Sequence, residues 1–195
     1  MEYLEALEAS GFSMFIKESS TAYVAFLAFH TIGLVFLVGV SGIVAMRILG
    51  VARSLPLGPL LDFFPLLYLG VCINVVTGVV LLCLYPTNYI VDPTMYIKAV
   101  AIIVAIIMVR KLKTYLLNLE LGIVSESESR DMKTWARTLL VAWLFAVLTG
   151  RTVAYGLATK IQTSIAVLIV VSLVLLIGYF AGRSLGWINR FEQDA

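Results

Sequence analysis

The sequence predicts an all-α integral membrane protein, a bundle of about five transmembrane helices preceded by an interfacial amphipathic helix. Three observations carry this. The chain is 61% apolar and only 13% charged over its 195 residues, with a mean hydropathy of +1.01. A soluble domain is about 45–50% apolar and about 25% charged, and a globule of this size has too little interior to hide the excess. The apolar residues also come in long runs of roughly the 20 residues that a helix needs to cross the hydrocarbon layer. Finally, the charges fall between those runs, and a net charge of +2 gives no electrostatic argument for a nucleic-acid partner.

Residues 1–20 open the chain as the amphipathic helix. Leu4, Leu7, Phe12, Phe15 and Ile16 recur at spacings of three to five, with Glu2, Glu5, Glu8 and Lys17 off the stripe. This run is too short and too charged to span. It either lies in the membrane interface or packs on the protein's own helices. Its acidic opening is unlike the basic start of a cleavable signal peptide.

A transmembrane domain over 21–182 follows, and five runs are read as spans. The first, 21–46, holds no charge and ends at Arg47. The second, 63–85, follows a turn at Pro56, Gly58 and Pro59, and its Pro65 suits a first helical turn. The third, 95–112, has only Ala99 to Val109 between Lys98 and Arg110, so it spans only if both side chains snorkel to opposite surfaces. The fourth, 135–155, has Arg137 and Arg151 near its ends. The fifth, 161–181, is the cleanest, with Arg183 and Trp187 as anchors before a cytoplasmic tail at 183–195. The polar run Ser125 to Arg130 reads as a solvated loop or helix tip. Cys72 and Cys83 sit in one run, about 16 Å apart along a helix, too far to bridge.

Orientation follows from the basic residues flanking the spans. Arg47, Arg53, Arg110, Lys111, Lys113, Arg130, Lys133, Arg137, Arg183 and Arg190 fall on one side. Lys17, Lys98, Arg151 and Lys160 fall on the other. Ten against four puts the N-terminus outside and the C-terminus in the cytoplasm of a bacterial inner membrane.

Within the spans, polar groups are few. His30 is the single histidine, and an imidazole at depth in a membrane asks for a role. It is read foremost as a neutral side chain bonded to a neighbouring helix. A haem or copper ligand, a proton carrier, or a contact with lipid, quinone or a partner subunit are the competing roles. A membrane b-type haem takes two axial ligands, and this chain has one histidine to offer. Gly33, Gly39 and Gly42, with Ser41 on the His30 face, read as a close-packing stripe on the first span. Gly70, Asn74, Thr77 and Gly78 form a second such stripe, and Asn74 at mid-membrane must find a partner, for which His30 is a candidate. Asp92, Lys98 and Arg151 are charges of the outer surface. Asp92 and Lys98 are placed to pair with each other, and snorkelling is favoured over solute binding for Lys98 and Arg151.

No carboxylate lies deep in any run, which argues against proton pumps and cation transporters. Phosphate-loop, Cys-x-x-Cys, His-Glu-x-x-His and Gly-x-Ser-x-Gly patterns are absent from the sequence, so no catalytic residues are assigned and no cofactor is expected.

The stretches Phe29-His30-Thr31-Ile32-Gly33, Leu37-Val38-Gly39 and Arg47-Ile48-Leu49-Gly50 carry a resemblance. So do Thr77-Gly78 and, after them, Leu81, Leu82, Pro86, Tyr89, Asp92-Pro93 and Lys98. Together they resemble a group of bacterial multi-spanning inner-membrane proteins that share a domain of unknown function. In that group the first span has a His-x-x-Gly step and ends in an Arg-Leu-Leu-Gly-like turn. The likeness covers roughly residues 12–110, with Ile48 for the usual Leu and Asp92 for the usual Asn. It implies fold and location but no activity, and it draws attention to His30 and Lys98. The expected function is a non-catalytic accessory or structural subunit of a membrane complex, respiratory or oxygenase-like, or a homo-oligomer. Its partners would be lipids and other membrane subunits or itself. An electron-transfer protein using His30, with haem, copper or quinone, is the first alternative. A small-solute transporter or channel is the second.

Overall fold

The computed structural model describes residues 1–51, 54–153 and 155–184, with the backbone alone for 179 and 182–184. Arg53, the Arg183 side chain, Trp187, Arg190 and most of the expected tail therefore lie outside the described residues. The chain is all-α. Its helices are α1 (Glu2–Glu8), α2 (Gly11–Glu18), α3 (Ser20–Ile48), α4 (Phe64–Leu84), α5 (Pro86–Ile90), α6 (Pro93–Glu120), α7 (Glu126–Thr152) and α8 (Leu157–Ser184), with a 3₁₀ turn at Gly58–Phe63 leading into α4. Among the described residues, three stretches are long and apolar enough to cross a membrane: Ser20–Ile48, Gly58–Leu84 and Leu157–Gly178. The chain divides into two compact units, Met1–Val153 and Ala154–Ala195. The second consists, in its described part, of α8.

Helix ends are set by local chemistry. Ser19 caps α3, its hydroxyl accepting from the Ala22 N–H at 3.2 Å. At the other end, Gly50 takes a φ of 98°, Gly50 N–H bonds Arg47 O, and Val51 N–H bonds Met46 O. That is a Schellman stop, in which a residue without Cβ turns left-handed and the last carbonyls find donors. The Arg-Ile-Leu-Gly turn is therefore a helix terminator. α6 ends the same way at Gly122 (φ 69°), with Ile123 N–H on Asn118 O.

Three helices run well beyond the spans read from sequence, α8 among them at Leu157–Ser184 against 161–181. α6 continues past residue 112 to Glu120, because Lys, Tyr and Leu are compatible with a helix and only Gly122 stops it. α7 begins at Glu126 rather than 135, because Ser125 and Glu128 form a reciprocal capping box. The polar run at 125–130 is thus a helix tip. The N-terminal run differs too. It is two helices, broken where Ser10 adopts an extended ψ of 149° and caps α2 through Ser13 N–H.

In the first unit α3 packs against α4 and α7, and α6 pairs with α7. The core lies in one half of this bundle. Leu37, Val44, Ala45 and Ile48 of α3 meet Phe64 and Leu67 of α4, Ala105, Leu112 and Leu116 of α6, and Leu139, Ala142 and Trp143 of α7. Alanines at 101, 105, 136, 142 and 146 let α6 and α7 approach closely. The far half, where α3 and α6 begin and α4 and α7 end, contributes little to this core.

The N-terminal helices dock on that far end. Ser13 and Ile16 are buried, and the Ser13 hydroxyl donates to Cys83 O at 2.8 Å. Phe12 and Phe15 on the same helix point outward. Glu8 accepts from the Thr87 hydroxyl and lies 3.5 Å from the Lys17 ammonium, which also sits 4.6 Å above the Tyr85 ring. The Thr87 hydrogen bond, helped by the Lys17 charge, holds the Glu8 carboxyl below its ordinary value of 4.5. The latch therefore contributes fully above pH 4.5 and weakens as the pH falls below it through the folded value. Amide exchange of residues 2–18 is expected to quicken there relative to a Glu8→Gln variant, whose protection is lower and flat over the same range. Identical profiles for the two proteins would remove the latch.

Candidate functional site

The polar residues of α3 and α4 converge where the two helices cross. Gly33 and Gly70 make the crossing. A Cβ on Gly70 would stand 2.8 Å from Gly33 O and 2.9 Å from Leu37 N, and a Cβ on Gly33 would stand 3.1 Å from Gly70 O and fall on the Asn74 amide. At this separation only glycine fits on either helix.

One turn further, the Asn74 amide donates to the backbone carbonyls of His30 and Gly70, each at 3.3 Å. The imidazole bonds a different residue. His30 Nδ1 lies 2.8 Å from Thr77 Oγ1, and that hydroxyl lies 2.6 Å from Ile73 O in its own helix. A threonine hydroxyl has one proton. At 2.6 Å from a carbonyl oxygen that proton must lie between the two oxygens, so Thr77 accepts from His30. The network thus assigns the proton to Nδ1 and leaves Nε2 with its lone pair. Gly78 lies beside the ring, where a Cβ would make an ordinary contact with His30 Cε1 at 3.5 Å. Asn74, named from sequence as the partner of His30, reaches its backbone, and Thr77 holds its ring.

Ser41 belongs to a different junction. Buried in the core half, it accepts from the Trp143 indole N–H at 3.0 Å and donates to Leu37 O at 2.6 Å, tying α3 to α7. Gly39 and Gly42 take no part in contacts within the first unit, with no atom within 4 Å of a Cβ on either. They lie on the opposite face of α3, with exposed Ile32, Val35 and Met46.

Lys98, in the second turn of α6, and Arg151, in the last turn of α7, lie toward the His30 end of the bundle. Lys98 lays its chain across α7 at Gly150, where a Cβ would stand 3.4 Å from Lys98 Cε and 3.6 Å from Nζ. Sequence reasoning missed Gly150, whose signal was a small residue one position before an interfacial arginine. The expected Asp92–Lys98 pair does not form. Asp92 is the N-cap of α6, accepting from the Thr94 N–H at 2.9 Å and its hydroxyl at 2.7 Å. Its carboxylate is thereby turned to the start of the helix, whereas Lys98 reaches sideways to α7. Among the described residues no group of three or more His, Cys, Asp or Glu side chains could hold a metal ion.

Comparison with protein-family models, with curated proteins and with solved structures finds no match to this chain.

Proposed function

We propose that this chain is a non-catalytic structural subunit of a bacterial inner-membrane assembly, a respiratory or oxygenase-like complex or a homo-oligomer. The observation that carries it is the outward face of α3. Thr21, Ala25, Ala28, Ile32, Val35, Gly39, Gly42 and Met46 follow one another at helical spacing along the whole helix. Of these, Ala25 and Gly42 are half-exposed and the rest exposed. Between lipid-facing helices, association comes from backbone approach and packing, and small residues allow both. Such a face suits a neighbouring helix better than disordered acyl chains. In this reading α6 and α7 complete a five-span bundle, with Lys98 and Arg110 at opposite surfaces. The basic residues of the core-half end are cytoplasmic, and Phe12 and Phe15 of α2 rest in the outer interface.

Purification from the native membrane in mild detergent, with mass spectrometry of the co-purifying chains, tests the proposal. Stoichiometric partner chains or a defined homo-oligomer are expected. Gly39→Leu and Gly42→Leu should each lower partner retention about tenfold with unfolding unchanged, the scale of one interhelical contact of 1–2 kcal/mol. A clean monomer sinks the reading.

A second reading rests on His30, whose Nδ1–H is fixed by Thr77 much as ligating histidines are fixed by an acceptor on the other nitrogen. An absorption spectrum and metal analysis of the same preparation decide it. A Soret band or stoichiometric copper that vanishes in His30→Ala would promote electron transfer over the structural role.

A further inference from the structure

We infer that His30 Nε2 is a docking point for a membrane-dissolved phenol, the head group of a hydroquinone. The Nδ1 side of the ring is committed. It lies 2.8 Å from Thr77 Oγ1, and the Thr77 proton goes to Ile73 O. Nε2 carries the lone pair and makes no hydrogen bond among the described residues. No buried side-chain nitrogen or oxygen there lacks a partner. His30 is half-buried, so an unbonded Nε2 must reach the molecular surface. It is an acceptor turned outward and held in one tautomer from behind. The chain from Nδ1–H through Thr77 to Ile73 O also raises the basicity of Nε2, as an acceptor behind a ligating imidazole does.

Depth decides what can reach it. α3 is long and apolar enough to cross a membrane, and its one charged residue is Arg47. His30 lies about 15 Å along the axis from Ser20 and about 25 Å from Arg47. The hydrocarbon layer is about 30 Å thick, so the ring stands well inside it. Phospholipid and fatty-acid head groups stay at the interface, because a charge carried to this depth is expensive. A donor to Nε2 must therefore be uncharged and soluble in hydrocarbon. A phenolic O–H meets both conditions and, with a pKa of about 10, donates more strongly than an aliphatic alcohol. Phe26 and Tyr23, half-buried like His30, continue its face of α3 toward Ser20 at helical spacing. An aromatic ligand packs on such rings in offset or edge contacts. Ring and O–H together select a hydroquinone over a fatty alcohol. The oxidised quinone offers only carbonyl acceptors and cannot serve this lone pair. Such a site goes beyond a packing role and does not depend on whether the chain stands alone or in an assembly.

Because His30 is the single histidine, isotopic labelling of histidine nitrogen gives one pair of ring signals by NMR. The test uses the full chain in phosphatidylcholine nanodiscs, titrated anaerobically with decylubiquinol. The signal of the unprotonated nitrogen, Nε2, is expected to shift saturably while that of the protonated Nδ1 stays nearly in place. The dimethyl ether of the same quinol, which has the ring but no O–H, should shift neither, and nor should decylubiquinone. Decanol should bind about fivefold more weakly, the scale of one aromatic contact, and Phe26→Leu should weaken quinol binding by a similar factor. Thr77→Val should weaken it about tenfold, the scale of losing the group that orients an imidazole, and Thr77→Ser should restore it. An Nε2 signal that ignores the quinol in the unaltered protein overturns the site. So does an equal response to the dimethyl ether, a lone pair found on Nδ1, or an Nε2 already bound to a metal. Equal affinity for decanol would overturn the assignment to a hydroquinone.

Discussion

Gly70→Ala is expected to destabilise the first unit by about 2–3 kcal/mol, far more than a single methyl group usually does. The new Cβ would meet Gly33 O at 2.8 Å, Leu37 N at 2.9 Å and Phe36 Cβ at 2.9 Å. Two of these are backbone atoms of a helix, so no rotamer change relieves the clash and α3 must move away. That movement also strips Asn74 of its bond to His30 O and lengthens the His30–Thr77 contact. Gly33→Ala should be nearly as severe, because its Cβ competes with the Asn74 amide and meets Gly70 O at 3.1 Å. The other glycines are internal controls. Gly78→Ala makes an ordinary contact with the imidazole at 3.5 Å, and Gly42→Ala meets nothing within 4 Å. It should be neutral or stabilising by up to about 1 kcal/mol, the usual advantage of alanine inside a helix. Unfolding in mixed detergent followed by tryptophan fluorescence gives the comparison. Equal stability of Gly70→Ala and Gly42→Ala would mean that α3 and α4 do not cross this closely.

The glycines also mark how far the sequence could be read. Composition and run length suffice for an all-α chain, because a lipid-facing helix must be apolar all round. That same uniformity hides which side faces in. Periodicity could not separate Gly33, at the crossing, from Gly39 and Gly42 on the outer face, since every neighbour is apolar in both directions. The crossing becomes visible only when Gly70 is set against it. Thr77 was legible as an intramembrane polar group, but its pairing with the His30 ring depends on the register of two helices, and Asn74 was the nearer guess by chemistry alone. The capping box at Ser125 and Glu128 is written in the sequence, yet a run without an apolar face reads equally as a solvated loop or a helix tip, and the structure decides for the helix tip. Trp143 gave no warning, because its partner Ser41 is 102 residues away.

That partnership supports the other large effect. Trp143→Ala is expected to cost about 3–5 kcal/mol, the range for removing a buried aromatic ring. Trp143, on α7, is 3% exposed in a core cluster that also holds Ala101 and Ala105 of α6, Ala136, Ala142 and Ala146 of α7 and the Leu37–Ile48 stretch of α3. Neighbours so small cannot collapse into the space, and the core excludes lipid. The indole also begins a directional chain. Its N–H donates to the Ser41 hydroxyl, and that hydroxyl donates to Leu37 O. Trp143→Phe keeps most of the volume and loses the donor, so it should cost about 1 kcal/mol, as interhelical hydrogen bonds in membranes do. Ser41→Ala leaves the indole N–H without an acceptor in an apolar core and should cost about 1–3 kcal/mol. Because both substitutions break the same bond, the double variant should cost less than the sum, with a coupling of at least about 0.5 kcal/mol. Strict additivity would separate the two residues. It would also leave van der Waals packing alone to join α3 to α7 in this half of the bundle.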